Sequence, residues 1–265
     1  YSAVILAGPK YDLTERDVSL LRRYWNEQGR LLILLDAKVK TPRLDQFLAE
    51  FGVKPDQDLI VTQFKTGIEE QSVTLDVYAQ FLPETTFVRE LSQATGFFPG
   101  DTRSLSVDES VIAQQGLTMT RVLTPAAGDY WGDKDEILNS QKTPTYAQGI
   151  DLPPPLFFGI AIEKGAIKDT RVQVRSLSRM VVIGNADFLR NESLSESPPD
   201  VDFAVMMVNW LADREQLVSI PPKAIKTFTL NLSEGRMNEI VLVTVAGFPL
   251  LAALLGLGIW SVRRR

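Results

Sequence analysis

The chain has no cysteine and no histidine among its 265 residues. Without cysteine there is no disulfide framework, no thiolate nucleophile and no sulfur ligand for a metal. Without histidine there is no imidazole base, no Ser-His-Asp or Cys-His apparatus and no ordinary zinc site. The chemistry left open is that of carboxylate, lysine, tyrosine or serine side chains, or a carboxylate-only Mg or Ca site. No G-x-G-x-x-G run and no Walker lysine motif occurs, so nucleotide binding has no support. Basic runs are also missing, apart from the last three residues. Setting those arginines aside leaves 25 of the 28 bases against 33 acids, a net charge of −8. A domain of that sign is a poor nucleic-acid binder, and an anionic membrane surface repels it.

One long hydrophobic run is present. Residues 240–262 carry no charge, and at 1.5 Å per residue they span roughly 34 Å, enough to cross a hydrocarbon core of about 30 Å. Arg236 and Glu239 bound the run on one side and Arg263, Arg264 and Arg265 on the other, with Trp260 at an interfacial position. The alternative is a buried core helix, but such helices rarely hold so long an unbroken apolar stretch. The run therefore reads as a transmembrane helix. Arginines resist translocation, so the tail 263–265 is expected in the cytoplasm and residues 1–239 outside it, in the periplasm of a Gram-negative cell. Pro249 is placed to kink the helix. Ala252 and Gly256 form a small-xxx-small pair suited to a helical partner, a pattern that also arises by chance.

The remainder has ordinary globular composition. The chain opens on Tyr1 and already reads as a strand, so it is expected to begin inside a longer polypeptide. Residues 3–7 are an apolar run closed by Gly8-Pro9, a strand buried on both faces. A helix follows, with Thr14 as N-cap, Asp17 completing a capping box, Leu13 and Val18 as a hydrophobic staple, and Gly29 as terminator. A second buried strand, 31–35, ends at Asp36. Strand, helix and strand make a βαβ unit. A helix over 43–51 and a strand over 59–62 come next.

Residues 65–155 are expected to form an irregular, more β-rich insertion of short, partly antiparallel strands (73–77, 97–98, 120–123). Within it, 124–155 reads as a long surface loop. Regular structure resumes with strands at 156–162 and 180–184. A helix over 201–211 follows, with Phe203, Met206, Met207 and Trp210 on one face. The predicted domains are an α/β domain at 1–222, a connector at 223–239, the membrane helix and the tail.

Candidate functional residues are few. Asp36 and Asp187 each follow a buried strand that reads as parallel, where open α/β sheets bind ligands. Together they could hold a metal or act as acid and base; the plainer alternative is that each caps a turn. Gly8 and Asn185 terminate the same strands and would shape a crevice, or simply turn the chain. Tyr130 and Trp131 would make a partner-binding surface if the loop exposes them, whereas packing onto their own domain would remove it. No catalytic residue, metal site or cofactor is predicted.

Stretches at both ends of the chain resemble a known family. Residues 3–9 (Ala-Val-Ile-Leu-Ala-Gly-Pro), 13–24 and 29–36 (Gly-Arg-Leu-Leu-Ile-Leu-Leu-Asp) are similar to the start of the GldG-type auxiliary component of ABC transporters, proteins associated with gliding motility. A related domain occurs in intraflagellar transport proteins. Residues 179–189 (Arg-Met-Val-Val-Ile-Gly-Asn-Ala-Asp-Phe-Leu), 208–211 and the tail resemble later parts of the same family. The middle matches only loosely, at 103–105 and 123–124. The resemblance implies a flavodoxin-like or amidotransferase-like, mostly parallel sheet with helices on both faces and no amidotransferase catalytic residues. It also implies a preceding membrane helix and association with an ABC permease and ATPase. It supplies no catalytic residues to carry over.

The leading expectation is a non-catalytic, membrane-anchored accessory subunit of an ABC-type transport system. The alternatives are a carboxylate-based enzyme or glycan-binding domain using Asp36 and Asp187, and a scaffold that merely sets spacing across the envelope.

Overall fold

In the computed structural model the described residues are 3–66, 70–85, 87–126, 129–134, 144–165 and 178–213, with Pro249, Trp260 and Arg263 near the C-terminus. The chain divides into two compact units, Tyr1–Pro222 and Lys223–Arg265.

The first unit opens with β1 (Val4–Ala7), α1 (Glu15–Asn26) and β2 (Arg30–Leu34), and β1 pairs parallel to β2 as the βαβ reading requires. Thr14 and Asp17 form the predicted capping box. The helix end differs from expectation. Gln28, not Gly29, adopts the left-handed conformation, at φ 67°. Gly29 is needed for room, because a Cβ there would lie 2.3 Å from the Tyr24 carbonyl oxygen. The next helix, α2 (Pro42–Ala49), is capped from a distance: the Asp12 carboxylate accepts the Arg43 and Leu44 amides.

The middle of the chain contributes β3 (Val53–Pro55), β4 (Leu59–Thr66), β5 (Glu70–Thr74), β6 (Val77–Phe81), β7 (Thr95–Phe98), β8 (Leu105–Val107), α3 (Glu109–Gln115), β9 (Leu117–Pro125) and β10 (Asp129–Asp133). The remainder is β11 (Gly159–Lys164), β12 (Ser178–Ile183), a short helix α4 (Asn191–Glu196) and α5 (Pro198–Leu211).

Seven strands form one sheet in the order β1-β2-β12-β11-β9-β6-β7. This corrects the expectation of a mostly parallel sheet. Only β1–β2 and β2–β12 run parallel; the other four neighbouring pairs are antiparallel. A parallel pair needs a crossover of a dozen or more residues, usually a helix. Successive strands β11 and β12 instead pair directly, and so do β6 and β7. The middle of the chain thus supplies three of the main sheet's seven strands, β6, β7 and β9. It also supplies a separate sheet, β10-β4-β5, and the small pair β3–β8.

The central strands explain their own sequences. Side chains alternate across a strand, and β2 and β12 are covered on both faces. Leu31, Ile33, Met180 and Val182 pack with Val18, Leu21 and Trp25 of α1 and Leu44, Phe47 and Leu48 of α2. Leu32, Leu34, Val181 and Ile183 pack on the opposite face with Phe203, Met206, Met207 and Trp210 of α5. That set on α5 is the predicted buried stripe. Phe203 sits at its centre, with its ring 5.2 Å from Phe81 and 6.0 Å from Phe188.

The predicted membrane segment 240–262, including Ala252 and Gly256, lies outside the described residues except for Pro249 and Trp260. Those two and Arg263 have helical backbone and are exposed. Among the described residues, no helix is long and apolar enough to cross a membrane. The connector 223–239 also lies outside them.

Phe203 is fully buried and contacts several other rings. Phe203→Ala is therefore expected to destabilise the first unit by about 3–5 kcal/mol, read as a lower denaturant midpoint.

Candidate functional site

Strands β2 and β12 are parallel neighbours whose connections leave on opposite faces. The chain after β2 enters α2 on one side of the sheet, and the chain after β12 enters α5 on the other. Such a point opens a crevice at the carboxyl ends of the strands. A cleft of about 320 Å³ lies there, lined by Lys10, Asp36, Lys38, Val39, Asp101, Ala186, Asp187 and Arg190. Its volume is at the low end of ligand sites, typically ~300–1,000 Å³.

Asp36 and Asp187 both line this cleft. Neither presents a bare carboxylate. Lys10 Nζ is 2.5 Å from Asp36 Oδ2, and the Lys38 amide donates to Asp36 Oδ1 at 3.0 Å. Arg190 Nη2 is 2.8 Å from Asp187 Oδ1. A third acid, Asp101, holds Lys38 Nζ at 2.5 Å. The acids form the floor and the bases the rim: the Asp36 and Asp101 side chains are 19% and 18% exposed, against 66% and 61% for Lys10 and Lys38.

The electrostatics follow from this layering. Burial pushes the Asp36 carboxyl up, but the Lys10 hydrogen bond, the Lys38 amide and the two ammonium charges outweigh it, and the group titrates below the ordinary carboxylate range. The hydrogen bond to Asp101 raises Lys38 against the opposing effect of burial, helped by the charges of Asp101, Asp36 and Asp187. Three acids thus meet three bases, and the cleft is close to neutral. Among the described residues no cluster of acids could hold a metal ion. Asp101 Oδ1 is buried and accepts no protein hydrogen bond, which leaves an acceptor for a ligand or a water.

The predicted glycine and asparagine shape the cleft from behind. Gly8 has φ 55°, its amide donates to the Leu34 carbonyl, and a Cβ on it would lie 3.0 Å from that of Ala186. Asn185 is fully buried. Its amide group donates to the Pro99 carbonyl and to Thr102 Oγ1, while its Oδ1 accepts the Asp187 and Phe188 amides. Gly184 and Arg103 extend the same junction: the Arg103 amide donates to the Gly184 carbonyl at 2.9 Å, and a Cβ on Gly184 would come within 1.9 Å of the Arg103 carbonyl oxygen. Asn185 therefore ties the 99–103 loop, which carries Asp101, to the end of β12.

Lys10, Lys38, Asp101 and Arg190 were not found by sequence reading. Lysine and arginine in polar loops form no pattern; only their position just past strand ends could have pointed to them. The expectation for Tyr130 and Trp131 is corrected. They lie in β10, paired to Thr62 and Val61 of β4, not in an open loop. Trp131 is buried, and Tyr130 packs against the core.

Two buried acids lie away from the cleft. Asp58 Oδ1 accepts the Ser104 amide at 2.9 Å, and its Oδ2 is buried without a partner, facing Gly132. Asp200, in the first turn of α5, accepts the Phe97 amide at 2.9 Å, and its Oδ1 is buried against Gly96. Burial outweighs these hydrogen bonds and pushes each carboxyl up to about 6.

No family model matches the chain, and no curated protein does. Among solved structures, the "mmIFT52 N-terminal domain" aligns with a TM-score of 0.49 at 16% identity, covering 78% of this chain and 75% of that one.

Two outcomes are expected. Asn185→Ala strands four backbone and side-chain partners and should lower stability by about 2–3 kcal/mol in chemical unfolding. The second concerns pH. Asp58 and Asp200 bind protons more tightly folded than unfolded, so stability falls as pH rises from about 4 to about 6. The unfolding midpoint should therefore rise on going from pH 7 to pH 5, and Asp200→Asn should flatten that rise. Below about pH 4 the trend reverses, because Asp17, Asp36 and Asp108, all held low by hydrogen bonds or ion pairs, lose their stabilising charge.

Proposed function

We propose that the chain is a non-catalytic accessory subunit of an ABC-type transport system. In this reading it is anchored in the bacterial cytoplasmic membrane by residues 240–262, with the α/β domain on the extracytoplasmic side and the C-terminus in the cytoplasm. The domain binds a partner or a substrate at the cleft between β2 and β12, and the membrane segment meets the permease. Three supports are independent of one another: the apolar run ended by three arginines, the absence of histidine and cysteine, and the resemblance of residues 3–36 and 179–189 to the GldG-type family. The observation that carries the non-catalytic part is the cleft itself. Each floor carboxylate is already neutralised by a base, an arrangement suited to holding a polar group and ill suited to proton transfer, which needs a carboxyl able to change its charge at working pH.

A second reading has one observation in its favour. Asp36 and Asp187 share the cleft, as a carboxylate-based enzyme or a glycan-binding site would require. It needs the rim bases to swing away when ligand enters.

Affinity purification of the full chain from its native membranes tests the first reading. An ABC permease and ATPase should be recovered, and Lys38→Glu, which puts a fourth acid in the cleft, should reduce the bound partner or substrate at least about fivefold. Recovery without any ABC component would overturn the proposal.

A further inference from the structure

Helix α5 is apolar on two faces. Phe203, Met206, Met207, Trp210 and Leu211 point into the core. Val201, Val205 and Val208 point the other way and are 39%, 55% and 44% exposed. With Ala212 at the helix end, these positions are spaced four, three and four residues apart. That is the spacing of a seam that packs against a second helix. Valine is a mediocre helix former and adds nothing to solubility, so helix propensity does not account for three of them on a solvent-facing stripe. A second apolar stripe on a helix whose first is already buried is normally covered as well.

We propose that this face is covered by α5 of a second copy of the chain, packed antiparallel about a twofold axis near Val205. The seam is its own complement in that arrangement. Val205 meets its counterpart, and Val201 lies against Val208 of the other copy. The flanking polar residues match as well. Asp202 and Asn209 lie on one side of the stripe, equidistant from a point between Val205 and Met206, so the twofold sets each Asp202 carboxylate beside an Asn209 side-chain amide. Antiparallel packing also opposes the two helix dipoles favourably. A 14-residue helix is about 21 Å long. A single helix pair of that length buries less than the ~1,200 Å² of a standard interface, so the dimer is reversible rather than permanent.

Because the chain has no cysteine, a single introduced thiol reports only on its own surroundings. In the full chain, Val205→Cys should give a disulfide-linked dimer under mild oxidation, and Ser19→Cys, exposed on α1, should not. Mixed Val201→Cys and Val208→Cys chains should cross-link to each other in preference to themselves. Val205→Lys should weaken self-association in sedimentation about tenfold while leaving the unfolding midpoint unchanged. Three results would overturn the proposal: Val205→Cys trapping no more than Ser19→Cys, Val201 and Val208 thiols pairing chiefly with themselves, or a dimer that survives Val205→Lys. Loss of binding to phosphatidylcholine vesicles by Val205→Lys, with self-association untouched, would assign the face to lipid and likewise overturn it.

Discussion

Two parallel strands, β2 and β12, are sealed on both faces, and the rest of the domain is arranged around that seal. Each strand needs apolar cover above and below, so α1 and α2 must lie on one side of the sheet and α5 on the other. The connections after the two strands therefore part at their carboxyl ends. The cleft is what that parting leaves open. Its position follows from how the core is covered, before any polar residue in it is considered.

The polar residues then set what the cleft can do. Three carboxylates lie low and three cations lie high, each acid held by a base. Ion pairs this exposed add little stability. Their effect is on chemistry: they hold the cleft near neutral, and the Lys10 pair helps keep Asp36 ionised. Asn185 matters in a different way. It is wholly buried; its amide group ties down the Asp101 loop at Pro99 and Thr102, and its Oδ1 holds the turn after β12 by accepting the Asp187 and Phe188 amides. Removing it would alter the cleft through geometry, not charge.

Helix α5 joins both themes. Its buried stripe closes one core, its first-turn Asp200 binds the Phe97 amide of β7, and its outer valines remain uncovered. The low polarity that suits it to the core extends around to solvent, where a second helix would complete it.

Local features were readable from the residues alone: the βαβ start, the Thr14–Asp17 capping box, the buried strand at 180–184, the α5 core stripe and the placing of Asp36 and Asp187 at strand ends. Each rests on interactions within a few residues, or on an apolar period that any two-sided burial imposes. The long uncharged segment at 240–262 is likewise read from length and composition, and it lies outside the described residues except for Pro249 and Trp260. Tertiary structure decided the rest. Strand direction beyond β12 depends on which distant segments pair; partly antiparallel strands were expected within 65–155, but their joining the main sheet through β9 and β11 was not. Trp131 was buried by pairing with β4, seventy residues earlier in the chain. The cations of the cleft come from loops that meet only when the sheet assembles, because ion pairing is set by distance in space and carries no sequence period.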